Sequence, residues 1–216
     1  MNEDKKILSI ETSGELCSVA LYFSEKKYDE RNILMKHIHS EKLVPMIEEL
    51  LNSNSVKTNE LDWIAVSNGP GSFTGLRIGM TTAKGLAFAS SLPILPVPTF
   101  DALALQVSSY IDSSKIFCIC NNANIEEFYF AKYRIEDSKP IAIIEQSLEK
   151  KNELEKLTSG IENIFGNLKQ TESIKDISSP TAFHIAKWSY LYGQDLLTFE
   201  YDYLEPNYLK KFKVKT

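Results

Sequence analysis

Two stretches of the chain gather residue types that can do chemistry. The first is Gly69-Pro70-Gly71-Ser72-Phe73-Thr74-Gly75-Leu76-Arg77, set between an apolar run and a helical one. Its glycines and proline fix a tight path, Ser72 or Thr74 can cap the following helix, and free amides at a helix start can receive an anion. The same pattern also serves a purely structural turn, in which the glycines let Leu76 and Met80 pack closely beneath the loop. It is not a Walker A loop, because Leu76 and Arg77 stand where lysine and serine or threonine are needed. Arg31, Arg77 and Arg134 are the only arginines in a lysine-dominated chain, and the forked guanidinium of Arg77 suits a phosphate, a carboxylate or an internal ion pair. The second stretch is Glu11-Thr12-Ser13-Gly14. A carboxylate, two hydroxyls and a glycine are what a nucleotide-phosphate hairpin with a magnesium-directed acid uses, and equally what a hydroxyl-rich turn uses.

The second half of the chain has a corresponding turn, Asn121-Asn122-Ala123-Asn124, with neither acid nor glycine. Two hairpins built this way lack a matched pair of metal-directed carboxylates, which speaks against catalysis between them. His37 and His39 are two residues apart and His184 is remote in sequence, so no metal-ligand spacing can be written and no metal is expected. Cys17, Cys118 and Cys120 lie in strand-like runs and read as reduced, buried thiols. The run Lys210-Lys211-Phe212-Lys213-Val214-Lys215 is the only dense cationic stretch, a solvated end or a source of phosphate contacts.

The elements that carry these residues follow from periodicity. Ile7–Ile10 and Leu16–Phe23 alternate as strands around the first turn, with Arg31–Met35 as a third. Ser40 can cap a helix bearing Leu43, Met46, Ile47 and Leu50 at helical spacing. Trp63–Ser67 reads as a buried strand, Leu76–Ala89 as a helix, Pro93–Pro98 as a short strand, and Thr99 with Asp101 can cap the next helix. After residue 110 the pattern restarts: Lys115–Cys120, a turn, and Phe128–Tyr133 form a second hairpin. Glu145–Leu157 reads as a charged helix, Ile161–Phe165 as a strand, and Ser179-Pro180-Thr181 as the start of a helix through Ile185, Trp188 and Leu191. Strands alternating with helices imply an α/β fold. The restart implies an amino-terminal lobe over 1–109 and a smaller carboxy-terminal lobe over 110–216.

The chain has 216 residues, 43% hydrophobic and 25% charged, with 24 basic against 29 acidic side chains and a net charge of −5. That balance argues against a protein that grips nucleic acid unaided. No apolar run approaches the roughly 20 residues of a membrane span, and the amino end lacks the apolar core of a signal peptide. A cytoplasmic protein is expected.

Four segments carry a family resemblance: Ile7-Leu-Ser-Ile-Glu-Thr-Ser13, His39-Ser-Glu-Lys-Leu-Val-Pro-Met46, Gly69-Pro-Gly-Ser-Phe-Thr-Gly-Leu-Arg-Ile-Gly79 and Glu205-Pro-Asn-Tyr-Leu209. On these the chain resembles the bacterial TsaB (YeaZ) family of tRNA threonylcarbamoyladenosine (t6A) biosynthesis. The resemblance implies two ribonuclease-H-like lobes of the sugar-kinase/actin-like type, with mixed sheets flanked by helices. It implies a non-catalytic subunit without cofactor that activates a TsaD-like catalytic paralogue alongside a TsaE-like ATPase, forms a homodimer when alone and meets tRNA only indirectly. It also implies pairing through the first two helices, which the periodicity maps to Leu43, Met46, Ile47, Leu50, Gly75, Leu76, Gly79, Met80 and Ala83, so that a charge at Met80 or Ala83 would separate folded monomers. Where relatives carry Asp-Ala-Arg-x-x-Glu-Val-Tyr, this chain has Asn122-Ala123-Asn124-Ile125-Glu126-Glu127-Phe128-Tyr129. The alternatives are an ATP-dependent phosphotransferase or ATPase using Glu11, Thr12, Ser13 and the Gly69–Gly75 loop, or a metalloprotease, against which the histidine spacing speaks.

Overall fold

The computed structural model describes residues 4–113, 115–137, 139–169 and 174–209. The chain divides into two compact units, one of residues 1–106 with 179–206 and the other of residues 107–178 with 207–216. The Lys210–Lys215 run lies outside the described residues.

In the first unit the strands are β1 (Ile7–Glu11), β2 (Leu16–Ser24), β3 (Lys27–Leu34), β4 (Trp63–Ser67) and β5 (Ile94–Val97). Their order across the sheet is β3-β2-β1-β4-β5. The β1–β2–β3 meander is antiparallel, and β4 and β5 add in parallel. The central strands β1 and β4 are buried at every position, which is why they read as unbroken apolar runs. Side-chain alternation sorts the core into two layers. Leu8, Ile10, Val19, Leu21, Ile64 and Val66 face helices α1 (His39–Ser53) and α2 (Phe73–Ser90). Ile7, Tyr22, Trp63, Ala65 and Leu95 face α3 (Thr99–Ser108) and α5 (Ala182–Tyr192).

The second unit repeats the plan. Strands β6 (Ile116–Asn122), β7 (Glu127–Glu136) and β8 (Lys139–Lys150) form the antiparallel meander, and β9 (Asn163–Gly166) and β10 (Ile174–Lys175) add in parallel in the order β10-β9-β6-β7-β8. Each unit is thus a ribonuclease-H-like α/β sheet, and the internal repeat seen in the sequence is a repeat of topology. Cys118, Cys120, Phe128 and Phe130 pack against the short α4 (Leu154–Thr158).

The structure departs from the sequence reading in three places. The charged stretch from Glu145 is strand to Lys150, with only five residues of helix after it. Pairing against the long β7, which sets Leu148 opposite Tyr129 and Ser147 opposite Phe130, overrides helix propensity. Helix α1 begins two residues earlier than expected and Ser40 does not cap it, since its N-cap is Ile38 without a side-chain bond. The hydroxyl of Thr99 accepts from the Gly69 amide at 2.9 Å and so ties α3 to the loop. Most consequentially, the stretch from residue 179 to 206, expected in the carboxy-terminal lobe, belongs to the first unit. There Ser9 Oγ donates to the Ala182 carbonyl at 2.7 Å, the Ala182 amide donates to Ser18 Oγ at 2.8 Å, and the Phe183 amide donates to Glu30 Oε1 at 2.7 Å. Trp63 Nε1 donates to Ser189 Oγ at 3.1 Å on the same helix. Ser18 on β2 and Glu30 on β3 thus accept from two of the unpaired amides in the first turn of α5, and the buried Ser9 hydroxyl on β1 finds its acceptor there.

Candidate functional site

The two chemistry-bearing stretches meet in the first unit. The turn after β1 sits directly against the loop and the start of α2. Ser72 N donates to the Ser13 carbonyl at 2.6 Å, and Ser72 Oγ accepts from Gly75 N at 3.2 Å, so Ser72 is the cap. The glycines are there for contact. A Cβ on Gly71 would lie 2.4 Å from the Ser13 carbonyl oxygen, one on Gly75 2.1 Å from that of Thr12, and one on Gly79 2.3 Å from Thr12 Oγ1. Gly69 has a φ of 102°, and the Thr99 amide donates back to its carbonyl at 2.8 Å. Pro70 is buried, Thr74 is exposed, and the guanidinium of Arg77 lies 3.9 Å from the Phe73 ring centroid. The amides of Ser72, Gly75 and Leu76 are all engaged within the chain, so this geometry supports a turn that locks a helix to a hairpin. Gly75→Ala is expected to cost about 1–3 kcal/mol or more, because backbone rather than a yielding side chain occupies the space; urea unfolding of the variant measures it.

Glu11 is fully buried. Its Oε1 accepts from both the amide and the hydroxyl of Ser13 at 2.5 Å, while Oε2 has no partner among the described residues. Burial pushes its carboxyl up to about 7 against the pull of the two Ser13 bonds. In the second unit, Asn124 Oδ1 accepts from the Glu126 and Glu127 amides at 2.9 and 3.0 Å and its Nδ2 donates to Glu127 Oε2 at 2.7 Å, so one asparagine closes the turn. Asn121 Nδ2 donates to the Ser178 carbonyl at 2.6 Å.

The three histidines occupy separate places: His37 is exposed, His39 lies 3.3 Å from the Leu16 carbonyl, and His184 Nδ1 lies 3.1 Å from Thr181 Oγ1. Burial, and then the charge of Lys187, lowers the His184 pKa to about 4. All three cysteines are buried and reduced. No cluster of metal-ligating side chains forms among the described residues.

The residues expected at a partner surface lie in this chain's own core. Leu43, Met46, Ile47, Leu50, Leu76, Met80 and Ala83 are at most 6% exposed, and Gly75 and Gly79 are buried against Thr12. The apolar periodicity of α1 and α2 marks the side that faces the sheet. The opposite side is different and was missed. Between α1 and α2 runs a groove of about 560 Å³ lined by Val44, Glu48, Thr81, Thr82, Gly85 and Leu86, among others. Gly85 is exposed in mid-helix with nothing within 4 Å of where its Cβ would be, and Phe88 is 76% exposed one turn on. The outward stripe Thr74, Arg77, Thr81, Gly85, Phe88 contains no acid, unlike the charged outer face of an ordinary surface helix. The signal was present in the sequence as an interior glycine and a phenylalanine on one helix face.

Residues 33–196 match the family model described as TsaD, tRNA N6-adenosine threonylcarbamoyltransferase. The chain is 31% identical over 194 residues to the tRNA threonylcarbamoyladenosine biosynthesis protein TsaB of Buchnera aphidicola subsp. Baizongia pistaciae, covering 84% of this chain and 87% of that protein. It is 36% identical over 126 residues to the protein of the same description from Haemophilus influenzae, covering 58% of this chain and about half of the relative, 52%. The solved structure of YeaZ from Pseudomonas aeruginosa has the same fold, with a TM-score of 0.77 over 95% of this chain and all of that one, at 24% identity. With a family model over three quarters of its length and a relative matched nearly end to end, this chain belongs to the TsaD family and, within it, with the TsaB (YeaZ) proteins.

Proposed function

We propose that this chain serves t6A biosynthesis in the cytoplasm as the accessory, non-catalytic partner of a TsaD-type transferase, docking through the outward faces of α1 and α2. The observation that carries the reading is the acid-free outer stripe of α2, where Gly85 faces open space beside an apolar groove. A mid-helix glycine costs about 0.5–1 kcal/mol relative to alanine, and close approach of another helix is a reason to keep it. Two copies use the same face when the transferase is absent, a TsaE-type ATPase completes the assembly, and tRNA is held by the partner.

The test is reconstitution of t6A formation from the transferase, the ATPase and tRNA, with and without this chain. Activity is expected to require the chain, and Gly85→Lys is expected to abolish it while leaving the circular dichroism melt unchanged. Full modification without the chain overturns the reading. Full modification with Gly85→Lys overturns the face.

A further inference from the structure

We infer that the segment following α5, residues 194–205, together with Phe88 of α2, forms a docking surface for a protein partner whose contacting face is apolar at its centre and basic at its rim. The segment is held firmly. Tyr201 Oη donates to the Leu92 carbonyl at 2.6 Å, and Thr198 exchanges two backbone bonds of 2.9 Å with Ile94, covering the free edge of β5. Leu197 and Leu204 turn inward onto the two core layers of the first unit.

On this fixed backbone Phe199 and Tyr203 between them, and Leu196 just before them, turn outward. Phe199 is 62% and Tyr203 85% exposed, and Leu196 is 41% exposed. Phe88 adjoins the segment through an edge-to-face contact with Tyr201, with centroids 6.2 Å apart. Exposed aromatics on an ordered backbone mark an interaction site.

Charge selects the occupant. From Trp188 to Leu209 the chain carries Asp195, Glu200, Asp202 and Glu205 and no lysine or arginine. All four acids are exposed, and none makes an ion pair among the described residues. Phosphate-bearing partners are repelled by such a rim. A second copy of the chain placed on the same patch would set acid against acid. A cationic protein surface satisfies centre and rim at once, with aliphatic groups against the aromatics and lysines or arginines against the acids. None of these residues lines the α1–α2 groove; Phe88 alone is shared with the outer stripe of α2, and the variants below leave it and Gly85 untouched, so loss of this site is distinguishable from loss of the pairing proposed above.

The experiment uses the full chain and a defined probe, a fluorescent amphipathic helical peptide with leucine on one face and lysine on the other, read by anisotropy at low and raised salt. Binding that weakens with salt is expected. Phe199→Ser with Tyr203→Ser, and separately Glu200→Lys with Asp202→Lys, are each expected to weaken it about tenfold or more. The same charge reversal in the second unit, Glu145→Lys with Glu155→Lys, is expected to leave it nearly unchanged. The substituted side chains are exposed, and an unchanged melt confirms that each variant is folded. No binding of the lysine peptide, equal binding of its glutamate counterpart or of a short single-stranded RNA, or equal loss from both charge reversals overturns the proposal.

Discussion

Ala83→Asp is expected to unfold the first unit rather than to separate a pair of folded copies. The side chain is fully buried between α2 and the sheet, in the layer formed with Ile64, Val66 and Leu50. An uncompensated carboxylate there costs several kcal/mol in desolvation, and its extra atoms add about 1–3 kcal/mol of overpacking in a filled core. Together these rival the whole stability of a small domain, about 5–15 kcal/mol. Loss of the cooperative melt, with the amide signals of β1 and β4 collapsing in NMR, is the expected observation. Gly85→Lys, only two residues on but facing outward, is expected to keep the melt and lose the partner. If Ala83→Asp melts like the parent chain, the assignment of inner and outer faces on α2 is wrong.

Glu11→Gln is expected to stabilise the protein at pH 8 and to leave it unchanged at pH 4. The carboxyl has an unfolded-state value of 4.5 and is raised to about 7 in the fold. Below 4.5 both states hold the proton and the group is neutral in its effect. Between 4.5 and 7 the unfolded chain ionises while the folded one does not, so stability falls as pH rises. Above 7 the full penalty persists, roughly 3 kcal/mol at 1.36 kcal/mol per pKa unit. Glutamine keeps an oxygen for the two Ser13 donors and cannot ionise. Urea unfolding of both proteins across this pH range should give stabilities that coincide at low pH, diverge between about 4.5 and 7 and keep a constant gap above. Parallel curves would show that Glu11 does not titrate in that window.

Much of the first unit was legible in its residues. Leu16–Phe23 reads as a strand and is one, β2, buried from Cys17 to Tyr22 in the middle of the meander, and of the two caps open by position, Ser72 and Thr74, the structure uses Ser72. What could not be read was which of two faces looks inward. On α2 the stripe Leu76, Met80, Ala83 and the stripe Thr74, Gly85, Phe88 are both acid-free, and periodicity finds stripes without saying what covers them. The sheet decides, and the sheet is assembled from β1, β2, β4 and β5, far apart in sequence. For the same reason β8 looked helical: Glu145 and Glu149 sit at helical spacing in a charged run, and only the presence of β7 makes it an edge strand. The site was legible as a set of unusual residues, while its purpose was not, since nothing in the spelling of Gly71, Gly75 and Gly79 says that the object they approach is the turn at Thr12 and Ser13.

The return of α5 to the first sheet also sets a timetable for synthesis. When the ribosome has made β1 to β5, the α5 side of that sheet still lacks its cover, with Ser9, Ser18 and the Trp63 indole awaiting partners that lie between residues 182 and 189. Residues 107–178 of the second unit must emerge before they arrive. Vectorial folding of the amino-terminal unit is therefore interrupted, and the nascent chain carries a half-covered sheet for more than 70 residues of elongation, about 4–15 seconds at bacterial rates, during which the later-made unit can finish first.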